Sequence, residues 1–255
     1  MTDLPRRAAR KRAKARRRTS VVGVLGEILI TGGVFVLLFL GWQLWLNDII
    51  VGHEQHDQAI KLSQQWDKDE AQAPTPVDPG EPVVGIAPAN AERFGILYVP
   101  RFGADYARPI AEGVGVTDVL NQYGLGHYPN TQMPGQVGNF VIAAHRKAYG
   151  GNLEHIHELQ VGDPIFVETA DGWYKYIFRD IEYVQPTGVG VLDPVPQMDG
   201  ASPTDRIITL TSCNPFFSTA ERIIAYGVFD EWYPRAGGPP KEIAPLVAPA
   251  SAEGK

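Results

Sequence analysis

The sequence predicts a mostly β domain, a sandwich or barrel, behind a single membrane-spanning helix. Residues 92–234 carry short runs of β-branched and aromatic residues separated by turn residues, without the long helical segments that a βαβ array needs. Residues 21–45 form one apolar stretch with a single ionisable side chain, Glu27. A chain of 255 residues with 44% hydrophobic content buries one good core once its ends are set aside, and hardly two.

The elements follow in chain order. Residues 1–20 hold nine Lys/Arg against one acid, Asp3, so the remainder carries −14 of a formal total of −6. A basic run can serve as a nucleic-acid patch, but the acidic remainder opposes that use. Its position beside the apolar run marks it instead as a cytoplasmic tail. Residues 21–46 are long enough as a helix to cross roughly 30 Å of hydrocarbon. Glu27 lies near the basic end, and Trp42 and Trp45 close the far end as interfacial aromatics do. The run exceeds an ordinary signal-peptide core and no small-x-small cleavage site follows Trp45, so the expectation is a retained anchor in the plasma membrane. The domain beyond it is then extracellular. Residues 47–91 read as an extracytoplasmic linker, polar to about Asp69 with scattered apolar residues that could extend a short helix out of the membrane, and rich in Pro, Ala and Gly from 71 to 88. Residues 236–255 have the same bias and are expected to be a disordered tail.

The folded domain is expected over residues 92–235. Strands are predicted at 96–99, at 140–144 running into His145, on both sides of a tight turn at Asp171-Gly172, and at 181–186. Two further strands cover 206–213 and 222–229. Short helices are predicted at 117–123 and from residue 152, where Leu153, Ile156 and Leu159 can share a face. The expected product is a mostly β barrel with minor helices.

The lone cysteine cannot form an internal disulfide, so Cys213 is inert, paired with another molecule, or reactive. It sits at a strand end, since Pro215 forbids simple continuation of the ladder. If the last two strands pair as a hairpin, Cys213 and Arg222 come close to opposite one another. A guanidinium beside sulfur favours the thiolate and can donate to an oxyanion. By itself, an Arg at a strand start is more commonly paired with an acid such as Glu221. His145 also projects from a strand end, where an imidazole suits proton transfer with a thiol. His127, His155 and His157 are weaker candidates, and His53 and His56 fall outside the expected fold. No Cys-x-x-Cys and no second histidine beside His157-Glu158 supports a metal site, and no acidic cluster calls for calcium. Neither a phosphate-binding glycine loop nor a Gly-x-Ser-x-Gly elbow occurs, so no cofactor is expected.

Taken together, these residues resemble the sortases. The likeness rests on Thr-Leu-Thr-Ser-Cys at 209–213, Arg222 nine residues later, the segment from Gly126 to Arg146, and 153–163, as an ordered series over roughly residues 92–232. Gly-His-Tyr-Pro (126–129) and Thr-Ser-Cys-Asn-Pro (211–215) look most like class E of high-GC Gram-positive bacteria. The resemblance implies a closed eight-stranded barrel, and Cys213, His145 and Arg222 as the catalytic three. It further implies secreted protein substrates with a C-terminal sorting signal of the Leu-Ala-x-Thr-Gly type, and a cell-wall precursor amine, of the lipid II kind, as acceptor. Tyr128 and Thr211 are candidates for reading the signal. Asp78-Pro79 is followed by Gly80 rather than an aromatic, which disfavours the lid of pilin-building class C members. A hydrolase using water, a pilin polymerase and a non-catalytic binding barrel remain the alternatives.

Overall fold

The computed structural model describes residues 20–72 and 80–247. The expected basic tail, apart from Ser20, part of the Pro-rich spacer and the last eight residues lie outside them. The chain divides into two units, residues 1–42 and 43–255.

In the first unit, helix α1 (Val21–Gly41) has 21 residues, mean hydropathy of 2.3 over its most apolar window and no buried residue. It is the one helix among the described residues long and apolar enough to cross a membrane. At 1.5 Å per residue it spans about 31 Å.

The second unit is a closed barrel of eight strands: β1 (Arg93–Tyr98), β2 (Ala107–Glu112), β3 (Leu125–His127), β4 (Gly138–Ala144), β5 (Pro164–Glu168), β6 (Gly172–Val184), β7 (Arg206–Asn214) and β8 (Glu221–Pro234). They close in the order β1-β2-β3-β4-β7-β8-β6-β5. The β2–β3 and β4–β7 pairs are parallel and the rest antiparallel. Closure leaves no edge strand to template aggregation. Alternate residues fill the interior: Phe140, Ile142, Ile208, Leu210, Ile223 and Ala225 are all fully buried in one core cluster. The strand expected at 181–186 is the second half of β6, which bulges between Phe178 and Asp180 and carries on through Val184.

Two expectations fail. Residues 47–72, read as linker, form helix α2 (Asn47–Gln72), which packs against the barrel. Its buried stripe is Asp48, Gly52, Gln55, Ala59 and Ser63, spaced three and four apart. That stripe is polar or small, so no apolar periodicity announced it. His53 and His56 therefore lie on a packed helix, with His56 half-buried. Residues 236–247 are also folded: helix α4 (Ala244–Val247) and Ile243 bury against Tyr98, Phe166 and Trp173 in a second core cluster. A Pro- and Gly-rich segment can still dock through a few apolar side chains.

A buried polar node joins these additions to the barrel. Glu168, fully buried, accepts hydrogen bonds from Ser63 Oγ (2.6 Å), Tyr98 Oη (2.6 Å) and Arg235 Nη2 (2.7 Å). Arg235 also pairs with Asp67 of α2 and stacks its guanidinium over Trp66 and Trp173. Burying so many polar groups is tolerable because each finds a partner.

Candidate active site

Three adjacent strands bring the expected residues to one level of the barrel. On β7, Ile208 and Leu210 face the core, so Thr209, Thr211 and Cys213 stand on the outward side. In the β7–β8 ladder Cys213 is directly opposite Arg222. On the other side, parallel β4 sets Ala143 opposite Thr211. The ladder ends at that pair, and His145 directly follows the last residue of β4, Ala144. Ser212 Oγ donates to Ala144 O at 2.8 Å and ties the two strand ends together immediately before His145.

His145 and Cys213 share the wall of an open cleft of about 330 Å³, with Arg146, Ala148, Pro215, Phe217 and Thr219 around them. Cys213 is half-buried, accessible to a substrate yet partly shielded from water. Arg222 is not part of that wall. Its Nη1 donates to the carbonyls of Thr219 (3.0 Å) and Glu221 (2.9 Å), so the β7–β8 connection holds the guanidinium at the edge of the cleft. Both bonds use one nitrogen of a group with five N–H donors.

His145 Nε2 lies 2.8 Å from Asn121 Oδ1. An amide oxygen only accepts, so the bond requires an Nε2–H, and Nδ1 is the nitrogen left to exchange a proton in the cleft. Burial lowers the imidazole pKa from its ordinary 6.5, while the Asp48 carboxylate acts in the opposite direction. The Tyr149 ring lies 5.3 Å from the imidazole, tilted by 32°.

Tyr128 and Thr211 also reach this region. Tyr128 follows β3, packs with Val119, Leu120 and Ala143, and its hydroxyl pKa is raised by burial, with Arg222 pulling it down and Cys213 pushing it up. The phenol is therefore within electrostatic reach of both. Thr211 lies two residues before Cys213 on the same side, 5% exposed, between Ala143 and Ile224. The other histidines lie elsewhere. His127 is buried against Glu112 Oε2 at 2.6 Å, and His155 pairs with Glu158 at 2.8 Å.

Two residues at this site escaped the sequence reading. Asn121 falls within the short helix expected at 117–123, but nothing in the local pattern links it to His145. Asp48 falls in the expected linker, yet it lines the cleft and accepts N–H bonds from Ala148 (3.0 Å) and Gly150 (3.2 Å), just past His145. Arg146 braces the opposite wall by donating to Asn214 Oδ1 and stacking over the Phe216 ring at 4.3 Å.

A thiol flanked by an imidazole and a guanidinium can attack a carbonyl, stabilise the resulting oxyanion and protonate a leaving group. Comparison with known proteins identifies the family. The sortase domain family matches residues 97–230. Sortase E1 of Streptomyces coelicolor is 36% identical over 249 residues, covering 94% of this chain and 67% of that protein. Sortase E2 of the same organism is 30% identical over 241 residues, covering 91% and 92%. Among solved structures, the SrtA sortase from Actinomyces oris superposes with a TM-score of 0.60 at 42% identity, covering 63% of this chain and 92% of that one. Sortase E1 of S. coelicolor, solved with a tripeptide in its active site, superposes with a TM-score of 0.56 at 38% identity, covering 61% and 99%. This chain therefore belongs to the sortase family of cysteine transpeptidases, with class E enzymes among its relatives.

Proposed function

We propose that Cys213, His145 and Arg222 carry out the transfer, on surface proteins bearing a C-terminal signal of the Leu-Ala-x-Thr-Gly or Leu-Pro-x-Thr-Gly type. The observation that supports this most directly is the pairing of Cys213 with Arg222 across β7 and β8, beside the cleft that Cys213 and His145 line together. The Cys213 thiolate attacks the Thr carbonyl carbon of the Thr–Gly bond. The carbonyl electrons move onto oxygen, and Arg222 donates hydrogen bonds to that oxyanion. As the intermediate collapses, the C–N bond breaks and His145 gives its Nδ1 proton to the departing Gly nitrogen, leaving a thioester on Cys213. An acceptor amine attacks the thioester, His145 takes the surplus proton, the C–S bond breaks and a new amide joins the protein to a cell-wall amine. Energy held in the thioester suffices, so the cycle calls for no nucleotide. Tyr128 and Thr211, beside the thiol, are suited to contact the signal peptide. Helix α1 would anchor the enzyme in the plasma membrane with residues 1–20 cytoplasmic and the barrel outside.

The test is mass spectrometry of the full chain in detergent micelles, incubated with a Leu-Ala-x-Thr-Gly peptide and an oligoglycine amine, beside Cys213→Ala. The expected product is the ligated peptide lacking the original glycine segment, absent with the variant. Cleavage without ligation points to a hydrolase or a different acceptor. Ligation that persists in Cys213→Ala refutes the assignment.

A further inference from the structure

We propose that Asp48 is a positioning residue for the transfer reaction, holding the loop that carries His145 and making helix α2 part of the working active site. The inference rests on the mechanism proposed above. Four consecutive residues of that loop have positive φ: Ala148 (71°), Tyr149 (50°), Gly150 (94°) and Gly151 (54°). Two of them bear side chains that disfavour this region, so the conformation persists only because its surroundings impose it. Helix α2 supplies those surroundings. The two Asp48 oxygens separately accept the N–H groups of Ala148 and Gly150, which are turned inward like the donors of an anion-binding nest. Gln55 Nε2, two turns along the same helix, donates to Tyr149 O at 3.2 Å. Lys147 lies 3.6 Å from Asp48 and is held on its other side by Glu154 at 2.8 Å.

Asp48 is 6% exposed, so its charge acts through a poorly screened environment. The loop begins at His145 itself and returns the Tyr149 ring to within 5.3 Å of the imidazole. Displacing the loop therefore displaces the proton donor. The charged and titratable groups around His145 are Asp48 from α2, Arg146, Lys147 and Tyr149 from its own loop, Cys213 from β7, and Arg222 from β8 beyond it; Asn121 is neutral. Asp48 is the acid that opposes the burial of the imidazole. It lies well before residue 97, where the family match begins.

The test uses the full chain in detergent with Asp48→Asn, Asp48→Glu and, as a control, Asp57→Asn, which is exposed on the same helix. Two quantities are read: kcat and KM for peptide ligation, and the His145 titration midpoint by ¹³C-histidine NMR, assigned with His145→Asn. We expect Asp48→Asn to lower kcat about tenfold with KM nearly unchanged and to move the midpoint down by about half a unit, as loss of a nearby anion requires. Asp48→Glu recovers part of both, and Asp57→Asn changes neither. If Asp48→Asn keeps kcat within twofold of the parent, Asp48 is not a positioning residue. If the parent itself does not turn over the peptide, the proposed function fails separately, and an unmoved midpoint in Asp48→Asn then overturns the inference on its own.

Discussion

Replacing Asn121 with alanine removes the one side-chain hydrogen bond that His145 makes among the described residues, 2.8 Å from Nε2 to Oδ1. The bond fixes which ring nitrogen faces the cleft, and it strengthens when the imidazole is charged. A hydrogen bond to a charged group is worth about 1.5–3 kcal/mol, and about 1.4 kcal/mol is tenfold in rate, so Asn121→Ala should slow thioester formation about 10- to 100-fold. Asn121→Asp tests the sign. It keeps the acceptor and adds a negative charge against the Nε2–H, which raises the imidazole pKa. The alkaline limb of the rate profile, where imidazolium is lost, should then move to higher pH in Asn121→Asp and to lower pH in Asn121→Ala. The assay is rapid-quench measurement of thioester formation from a Leu-Ala-x-Thr-Gly peptide between pH 5 and 9 on the full chain. An Asn121→Ala enzyme within threefold of the parent with an unmoved alkaline limb would refute the reasoning.

Removing Arg235 leaves the Glu168 charge buried at 0% exposure with only two neutral donors, Ser63 and Tyr98. Breaking such a pair costs about 3–5 kcal/mol, so Arg235→Met should lower the Tm by about 6–20 °C, and adding Glu168→Gln should recover much of that loss. A Tm within 2 °C of the parent by circular dichroism would show that the node contributes little. Acidification should also destabilise the fold. His56 and His145 both have pKa values lowered from 6.5, chiefly by burial, so the unfolded chain binds more protons than the folded one below that pH. Their contribution is present above about pH 6.5 and is lost as pH falls through the folded values. The Tm drop between pH 7.5 and 5.5 should be smaller in the double variant His56→Gln/His145→Gln, and an equal drop would place the acid sensitivity elsewhere.

The local pattern of residues determined the apolar helix, the strands of the barrel other than β2 and β3, and the strand-end positions of His145 and Cys213. Those features depend on periodicity within a few residues and on turn chemistry, both of which a single segment carries. The facing of Cys213 and Arg222 was legible for the same reason, because a short connection leaves an antiparallel hairpin little choice of register. The family resemblance supplied the link between His145 and the thiol, which lie on strands separated by 68 residues of sequence. Only the tertiary structure placed Asp48 and Asn121 against the His145 loop, because such contacts join residues distant in sequence and leave no periodic trace. The docking of helix α2 on the barrel went unread because it runs through Asp48, Gly52, Gln55, Ala59 and Ser63. The segment before residue 248 went unread because three apolar side chains, Ile243, Leu246 and Val247, bury it within a composition typical of loops. A polar or small residue becomes a docking surface only when a complementary group meets it, and that complement is fixed by the fold rather than by its sequence neighbours.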